Sequence, residues 1–224
     1  MEESSMIDNF AIIREHLDFK LPTDRYIVHI LRRPKDCVGL TNNLGSNEAQ
    51  RLIRTYYIDS LKYFDSKIEA IKELCQSCNA RAYIIVQPKD NFECLLNLGK
   101  KIFDTIQNKN YSVKPEHLIR QAYCEYHKSR KKLWILDLDD EEMHGWTLDQ
   151  VLSLVKEELK AIGKSEAEAY IVQTKHGHHI ITSPFNLQKA YEKCSMLYEG
   201  VHKVNGKNVT GWLHKDGMTL LYCL

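Results

Sequence analysis

Two aspartates one residue apart, at the end of an apolar segment, are the strongest chemical signal in the sequence. The segment runs from Trp134 to Asp139. If it is a strand, alternate side chains face the same way, so Asp137 and Asp139 project side by side. Two carboxylates this close repel each other unless a cation lies between them, and oxygen ligands suit Mg²⁺ or Mn²⁺. The pattern predicts a divalent metal site; the alternative is a strand end where acids begin a solvated loop.

A second segment, residues 173–181, combines a hydroxyl, a lysine, a glycine and three histidines between apolar residues. On a strand His179 shares a face with Gly177, and a glycine lets the backbone approach a phosphate closely. Thr174 can donate to a phosphate oxygen, and Lys175 or His179 can neutralise its charge. The segment therefore favours phosphate or nucleotide binding. The alternatives are a zinc site built on the clustered histidines and histidines that serve only the core.

Both segments resemble motifs of the archaeo-eukaryotic primase superfamily, which includes the primase-polymerases. Its first motif is an apolar strand ending in Asp-x-Asp, which Asp137 and Asp139 match. Its second motif has a small or hydroxyl residue, glycine and basic residues, then a histidine entering a strand. The residues that match it are Thr174, Lys175, Gly177 and His179. The resemblance covers residues 130–224, and residues 214–222 also resemble the last strand of short phage proteins that share both motifs.

The third motif of that superfamily, an apolar residue followed by an acid, has no counterpart where it is expected. That place reads Gly211-Trp212-Leu213, and the nearest carboxylate is Asp216. The resemblance implies that Asp137 and Asp139, with Asp216, hold Mg²⁺ or Mn²⁺ and that His179 takes part in catalysis. It also implies that residues 174, 175, 177 and 179 bind a nucleoside triphosphate.

The fold that the resemblance implies is α+β and has two lobes. An N-terminal α/β lobe would span residues 1–130, and a lobe like an RNA-recognition motif would span residues 131–224, with the site in the cleft between them; one continuous domain is the alternative. The implied activity is that of a nucleotidyltransferase acting on nucleoside triphosphates and nucleic acid, as in DNA replication. Two alternatives keep this fold: a metal-dependent nuclease or phosphodiesterase, and a nucleic-acid-binding protein without catalysis.

A basic run directly precedes the Asp-x-Asp segment and is the predicted contact with a nucleic-acid backbone. Its cations are Lys128, Arg130, Lys131 and Lys132. The net charge of +1 does not itself indicate a nucleic-acid-binding protein. The alternative for the run is a solvated loop.

Composition favours a cytoplasmic protein, and the resemblance to short phage proteins implies that this would be the cytoplasm of a phage's host. The chain of 224 residues is 43% hydrophobic and 27% charged, which is ordinary for a globular protein. No apolar run approaches the ~18 residues of a membrane span. Seven cysteines without framework spacing indicate reduced thiols. Cys75 and Cys78 form a CxxC sequence, but the chain has no second CxxC that would complete a zinc site. We therefore interpret both cysteines as packing residues at the end of a helix.

Periodicity predicts strands alternating with helices, which argues for an α/β or α+β fold. Helices are expected over residues 6–18, 62–78, 91–108, 115–128, 147–161 and 187–198. Strands are expected over 25–32, 50–59, 80–87 (stopped by Pro88), 134–139 and 218–223, with a strand pair over 170–182 and a loop over 34–47. The helix at 147–161 is long enough to bring the histidine segment back beside the Asp-x-Asp strand in one sheet.

Overall fold

Six helices and three antiparallel sheets make up the described part of a computed structural model, which covers residues 6–33, 51–125, 129–204, 206–215 and 217–224. The protein is α+β, as the sequence predicts. The helices are α1 (Phe10–His16), α2 (Leu61–Cys78), α3 (Asn91–Gln107), α4 (Pro115–Cys124), α5 (Leu148–Ala161) and α6 (Leu187–Lys193). The strands are β1 (Ile7–Asp8), β2 (Asp24–Arg32), β3 (Arg51–Ile58), β4 (Arg81–Asp90), β5 (Trp134–Asp139), β6 (Ala169–Gln173), β7 (Gly177–Thr182), β8 (Val201–Val204), β9 (Lys207–Thr210), β10 (Leu213–His214) and β11 (Met218–Cys223).

The first sheet has five strands in the order β1-β11-β4-β2-β3. Alternate residues of its central strands, among them Val28 and Ile84, form one buried face. Helix α2 covers this face through Phe64 and Ile71. The Ser60 side chain accepts a hydrogen bond from the Tyr63 backbone N–H and begins this helix.

The second sheet has four strands in the order β10-β5-β7-β6, and its two faces pack against different partners. Leu136 and Ile180 on one face pack against α5. Ile135 and Ile181 on the other face join the core of the five-stranded sheet. Thr147 begins α5 with a capping box completed by Gln150, as a Thr-x-x-Gln sequence favours. The Asp-x-Asp strand is therefore held between two layers of apolar residues.

Three predicted elements differ from the structure. The helix predicted over residues 6–18 spans only Phe10–His16, because residues 7 and 8 pair with β11 as strand β1. Strand β4 does not stop at Pro88 but runs on to Asp90. The β2–β4 ladder shifts register between Arg25 and Ile27, and a bulge of this kind accommodates a residue that has no N–H. Helix α6 ends at Lys193 rather than at residue 198, because the carbonyls of Met196 and Tyr198 accept hydrogen bonds from residues 212 and 213.

A short hairpin, β8–β9, was not predicted, although the Asn205-Gly206 dipeptide between two strands is a hairpin signal. The loop expected over residues 34–47 and the last residues of the helix predicted over 115–128 lie outside the described residues. None of the described helices is long and apolar enough to cross a membrane.

The last strand crosses the boundary that the sequence suggested at residue 130. Strand β11 lies between β1 and β4, where it pairs with residues 82–85 of β4. The first sheet is thus built from both ends of the chain. A division into residues 1–130 and 131–224 does not separate the two sheets.

Candidate functional site

The Asp-x-Asp strand and the histidine strand are direct neighbours. In the antiparallel ladder of β5 and β7, Asp137 lies opposite His179 and Asp139 lies opposite Gly177. Directly opposed residues project from the same face of a sheet. Helix α5 and strand β6 supply the return that the sequence predicted, with β7 inserted between β5 and β6. Asp137, Asp139 and His179 therefore share one face of one sheet.

The imidazole of His179 is held between the two sheets by two hydrogen-bond partners. Its Nδ1 lies 2.9 Å from the Thr219 hydroxyl of β11, and its Nε2 lies 3.1 Å from Asp137 Oδ1. The side chain of His179 is 12% exposed, whereas that of Asp137 is 42% exposed. The histidine thus links the buried five-stranded sheet to a carboxylate that solvent or a ligand can reach.

The two aspartates differ in pKa although they are two residues apart. Burial raises the pKa of Asp137, but the hydrogen bond from His179 and the positive charges of His179, His214 and Arg33 outweigh it, so the net pKa is lowered. Burial raises the pKa of Asp139, and the negative charge of Asp137 raises it further. The nearby positive charges therefore outweigh burial at Asp137 but not at Asp139, where His176 and His179 only partly offset burial and the negative charges of Asp137 and Glu142.

Gly177 is required by strand packing. A Cβ at this position would lie 2.1 Å from the Leu138 carbonyl oxygen and 2.9 Å from the Asp139 Cα, both of them backbone atoms of β5. The sequence interpretation attributed this glycine to close approach of a phosphate. The structure gives a different reason, because the close approach is that of the neighbouring strand.

The turn between β6 and β7 brings further polar groups near the carboxylates. The Thr174 N–H donates to the Gly177 carbonyl, and the His176 carbonyl accepts from the Asp140 N–H at 2.9 Å. Lys175 and His176 are exposed in this turn, and His176 is close enough to lower the pKa of Asp139. The described residues contain no group of three histidine, cysteine or acidic side chains placed to hold a metal.

The place expected for a third acid is apolar. Trp212 is buried in the cluster beneath α5, and its carbonyl accepts a hydrogen bond from the Asp137 N–H at 2.8 Å. The neighbouring strand β10 places His214 opposite Ile135, on the face that carries Asp137. Asp216, the predicted third ligand, lies outside the described residues. Within them, the third side of the site carries His214 and the charge of Arg33 rather than a carboxylate.

The basic run before β5 contributes largely to the fold. Arg130 binds the buried carboxylate of Asp24 at 2.7 Å and also pairs with Asp18. Lys131 donates to the His16 carbonyl, and its burial lowers the pKa of its ammonium. Lys132 is exposed, and Lys128 lies outside the described residues. Of the four predicted nucleic-acid contacts, Arg130 and Lys131 are engaged with the protein.

Three residues near the site were missed or weakly signalled in the sequence. Thr219 lies in an apolar segment that has no signal for a polar role, and only the pairing of β11 with β4 brings it to His179. Arg33 belongs to the basic sequence Arg32-Arg33-Pro34-Lys35, but its nearness to Asp137 depends on the packing of the two sheets. His214 could be expected from its place beside the third-motif position.

The cysteine pair behaves as predicted. Cys75 is a buried free thiol at the end of α2, and burial raises its pKa to about 12. Cys78 is also a free thiol and is partly buried. Both are therefore packing residues of this helix.

Comparison of the chain with protein-family models, with curated proteins and with solved structures found no match. No relative is thus on hand from which a role could be transferred. The geometry of Asp137, Asp139 and His179, together with the order of the strands that carry them, is the basis for a functional proposal.

Proposed function

We propose that the protein is a primase-polymerase-like nucleotidyltransferase that acts on nucleoside triphosphates and nucleic acid with Mg²⁺ or Mn²⁺. The observation that carries the proposal is the shared face of Asp137, Asp139 and His179 on neighbouring strands. Two carboxylates beside a fixed imidazole combine metal-ligating oxygens with a group that can contact phosphate.

The order of elements in the second sheet supports the same proposal. Chain order β5-α5-β6-β7-α6-β10 with sheet order β10-β5-β7-β6 corresponds to the β-α-β-β-α-β arrangement. A four-stranded sheet of this kind is the core of the RNA-recognition motif. We therefore infer an RNA-recognition-motif-like lobe whose first and third strands carry the two motifs.

The residues present fit a hard divalent cation by donor type. Asp137 and Asp139 offer carboxylate oxygens, and burial together with the negative charge of Asp137 raises the pKa of Asp139, so a cation there would relieve both effects. Mg²⁺ commonly uses one or two carboxylates and completes its shell with waters and substrate phosphates. When bound, such an ion supplies Lewis-acid polarisation of the phosphate and activation of the attacking oxygen.

The remaining residues of the site bind and orient the substrate. The Thr219 hydroxyl and the Asp137 carboxylate engage both ring nitrogens of His179 and fix the ring in place. Its Nε2 would contact a triphosphate by exchanging the Asp137 carboxylate for a phosphate oxygen, while Thr219 keeps the ring oriented. Thr174 and Lys175 lie in the adjoining turn, where a hydroxyl and an ammonium can hold phosphate oxygens. Arg33 adds a cation and His214 an imidazole on the third side, where a triphosphate brings negative charge.

Phosphodiester hydrolysis is the second candidate, and the apolar third side favours it. Trp212 stands where the polymerase pattern has an acid, and the described residues supply no replacement. A two-carboxylate site can still hold one cation and direct a water at a phosphodiester. In a hydrolase the groups that contact phosphate would bind the phosphodiester of a nucleic acid, because hydrolysis needs no bound triphosphate.

The test is a set of gels with the purified full chain, Mn²⁺ or Mg²⁺, a labelled primer–template and each class of nucleoside triphosphate. The expected result is primer extension or dinucleotide synthesis that Asp137→Asn and Asp139→Asn abolish. Asp140→Asn is the matched control, since it removes the same charge from an exposed neighbouring residue and should retain activity. Cleavage without incorporation would favour the hydrolase, and nucleic-acid binding without either reaction would contradict both enzymatic proposals.

A further inference from the structure

Helix α3 fully buries only Cys94 and presents large apolar side chains outward, unlike an ordinary surface helix. Polar residues face the protein: the Asn97 amide donates to the Ala122 carbonyl at 3.1 Å, and Lys101 pairs with Glu125 at 2.5 Å. Large apolar side chains face outward, each between 42% and 71% exposed. This α3 stripe comprises Phe92, Leu95, Leu96, Ile102, Phe103 and Ile106. A surface helix normally buries such a face, so the stripe indicates a partner.

The exposed area of the stripe is large enough for a specific interface. At roughly 200 Å² for each fully exposed large side chain, the six exposed fractions correspond to about 670 Å² on one molecule. The largest apolar patch of a typical monomer is about 300–600 Å². Two such faces brought together bury about 1,300 Å², which reaches the range of specific protein–protein interfaces.

The pattern of the stripe is symmetric about Gly99. Large apolar residues stand three, four and seven positions before this glycine and again three, four and seven positions after it. All of them lie within about 60° of the Gly99 direction on a helix of 3.6 residues per turn. A Cβ at Gly99 would meet no atom within 4 Å, so the centre of the stripe is open and has no side chain.

We propose that the α3 stripe binds the α3 stripe of a second copy of this chain, antiparallel, with the two-fold axis at Gly99. In that arrangement each position before Gly99 meets the equivalent position after it. Leu95 then faces the partner's Phe103, and Leu96 faces the partner's Ile102. The missing side chain at Gly99 lets the helices approach closely at the crossing point. A two-fold interface uses the same patch on both molecules, as a symmetric stripe requires.

The first test measures the mass of the full chain in solution by sedimentation across a dilution series. The wild-type protein should be a dimer that dissociates on dilution. Phe103→Glu should raise the dissociation constant of the dimer at least tenfold, or leave only monomer. Asp104→Lys alters charge on the same helix outside the stripe, so this control should remain a dimer. Circular dichroism should show an unchanged fold for Phe103→Glu, because that side chain is 65% exposed.

The second test fixes the orientation by disulfide formation between cysteine variants. An equimolar mixture of Leu95→Cys and Phe103→Cys should cross-link, while each variant alone should give only the wild-type background. A wild-type monomer at every concentration, or a dimer unaffected by Phe103→Glu, would overturn the proposal. Cross-linking of each variant with itself would overturn the antiparallel arrangement. None of these readouts depends on the proposed enzymatic activity.

Discussion

At the scale of single residues, the site places two neighbouring carboxylates in different electrostatic surroundings. Asp137 is hydrogen-bonded to His179 and lies near the charges of His214 and Arg33, and its pKa is lowered despite burial. Among the described residues Asp139 has no hydrogen-bonded imidazole of this kind, and burial and the charge of Asp137 raise its pKa. An incoming cation would therefore relieve repulsion chiefly at Asp139.

Joint metal binding is tested by the double change of Asp137 and Asp139 to Asn. We expect calorimetry to show loss of Mn²⁺ binding, because both carboxylate ligands are gone while the side-chain size is kept. Asp140→Asn should bind Mn²⁺ as the wild type does. Unchanged Mn²⁺ affinity in a folded double variant would exclude these two residues as the metal ligands.

The raised pKa of Asp139 predicts a pH-dependent stability change in the metal-free chain. A carboxyl whose folded pKa is raised contributes stability below its ordinary pKa and loses that contribution as the pH rises through the folded pKa. Asp139→Asn should therefore raise the melting temperature at pH 7, and this gain should shrink towards pH 3. A lower melting temperature of the variant at pH 7 would contradict the electrostatic account.

His29 predicts acid sensitivity of the five-stranded sheet. Burial and then the charge of Arg120 lower the pKa of His29 to about 4, and its Nδ1 lies 2.9 Å from the Thr55 hydroxyl. His29 is protonated near pH 6.5 in the unfolded chain but only near pH 4 in the folded chain. The free energy of unfolding therefore falls as the pH drops from 6.5 to 4. The loss is roughly 3 kcal/mol at most.

Urea unfolding at several pH values measures this dependence. His29→Gln keeps a side chain that can bond Thr55 but removes the titration. Its free energy of unfolding should vary less between pH 6.5 and pH 4 than that of the wild type. If the free energy of unfolding depended on pH in the same way for both proteins, His29 would not titrate as described.

At the scale of elements, local patterns predicted most helices and strands, and long-range contacts decided where several of them end. The capping box at Thr147 and the apolar periodicity of α5 are local, so that helix was predicted nearly to the residue. Helix α6 stops early because residues 196 and 198 bond to residues 212 and 213, a contact that no local pattern encodes. The basic run before β5 is a second example, because its sequence does not indicate that Arg130 pairs with Asp24 and Asp18.

Arg130 and Lys132 should therefore respond differently to alanine substitution. Arg130→Ala leaves the buried Asp24 carboxylate without its cation and should destabilise the fold by about 2–3 kcal/mol, somewhat less than for a fully buried pair. Lys132→Ala removes an exposed cation and should leave the fold intact. If the run contacts nucleic acid, Lys132→Ala should also reduce the salt dependence of binding.

Denaturant unfolding and band-shift titrations at two salt concentrations separate these effects. The control for both is wild-type protein at the same ionic strength. Equal stability of Arg130→Ala and wild type would mean that the Arg130–Asp24 pair contributes nothing to the fold.

At the scale of the whole molecule, the two sheets depend on each other. Strand β11 from the chain's end lies inside the first sheet, and its Thr219 reaches His179 on the second. Ile135 and Ile181 of the second sheet complete the core of the first. The site therefore exists only when both sheets are assembled.

A fragment of residues 1–130 should not fold by itself. It lacks β11, so β1 loses its only partner strand among those described and β4 becomes an edge. Exposed edges and an uncovered apolar face favour aggregation. Circular dichroism and size-exclusion chromatography of the fragment, beside the full chain, measure this. A monomeric fragment with cooperative unfolding would show instead that residue 130 is a real domain boundary.

The sequence alone determined the fold class, most of the elements and the pairing of the two motifs in one sheet. Strand alternation places Asp137 and Asp139 on one face, and a helix of the length of α5 returns the chain to the same sheet; both follow from the local sequence. Only the tertiary structure decided that Thr219 orients His179, that Gly177 is needed for strand packing and that Arg130 belongs to an ion pair. These depend on contacts between residues as many as 106 positions apart, which side-chain type and local spacing do not encode.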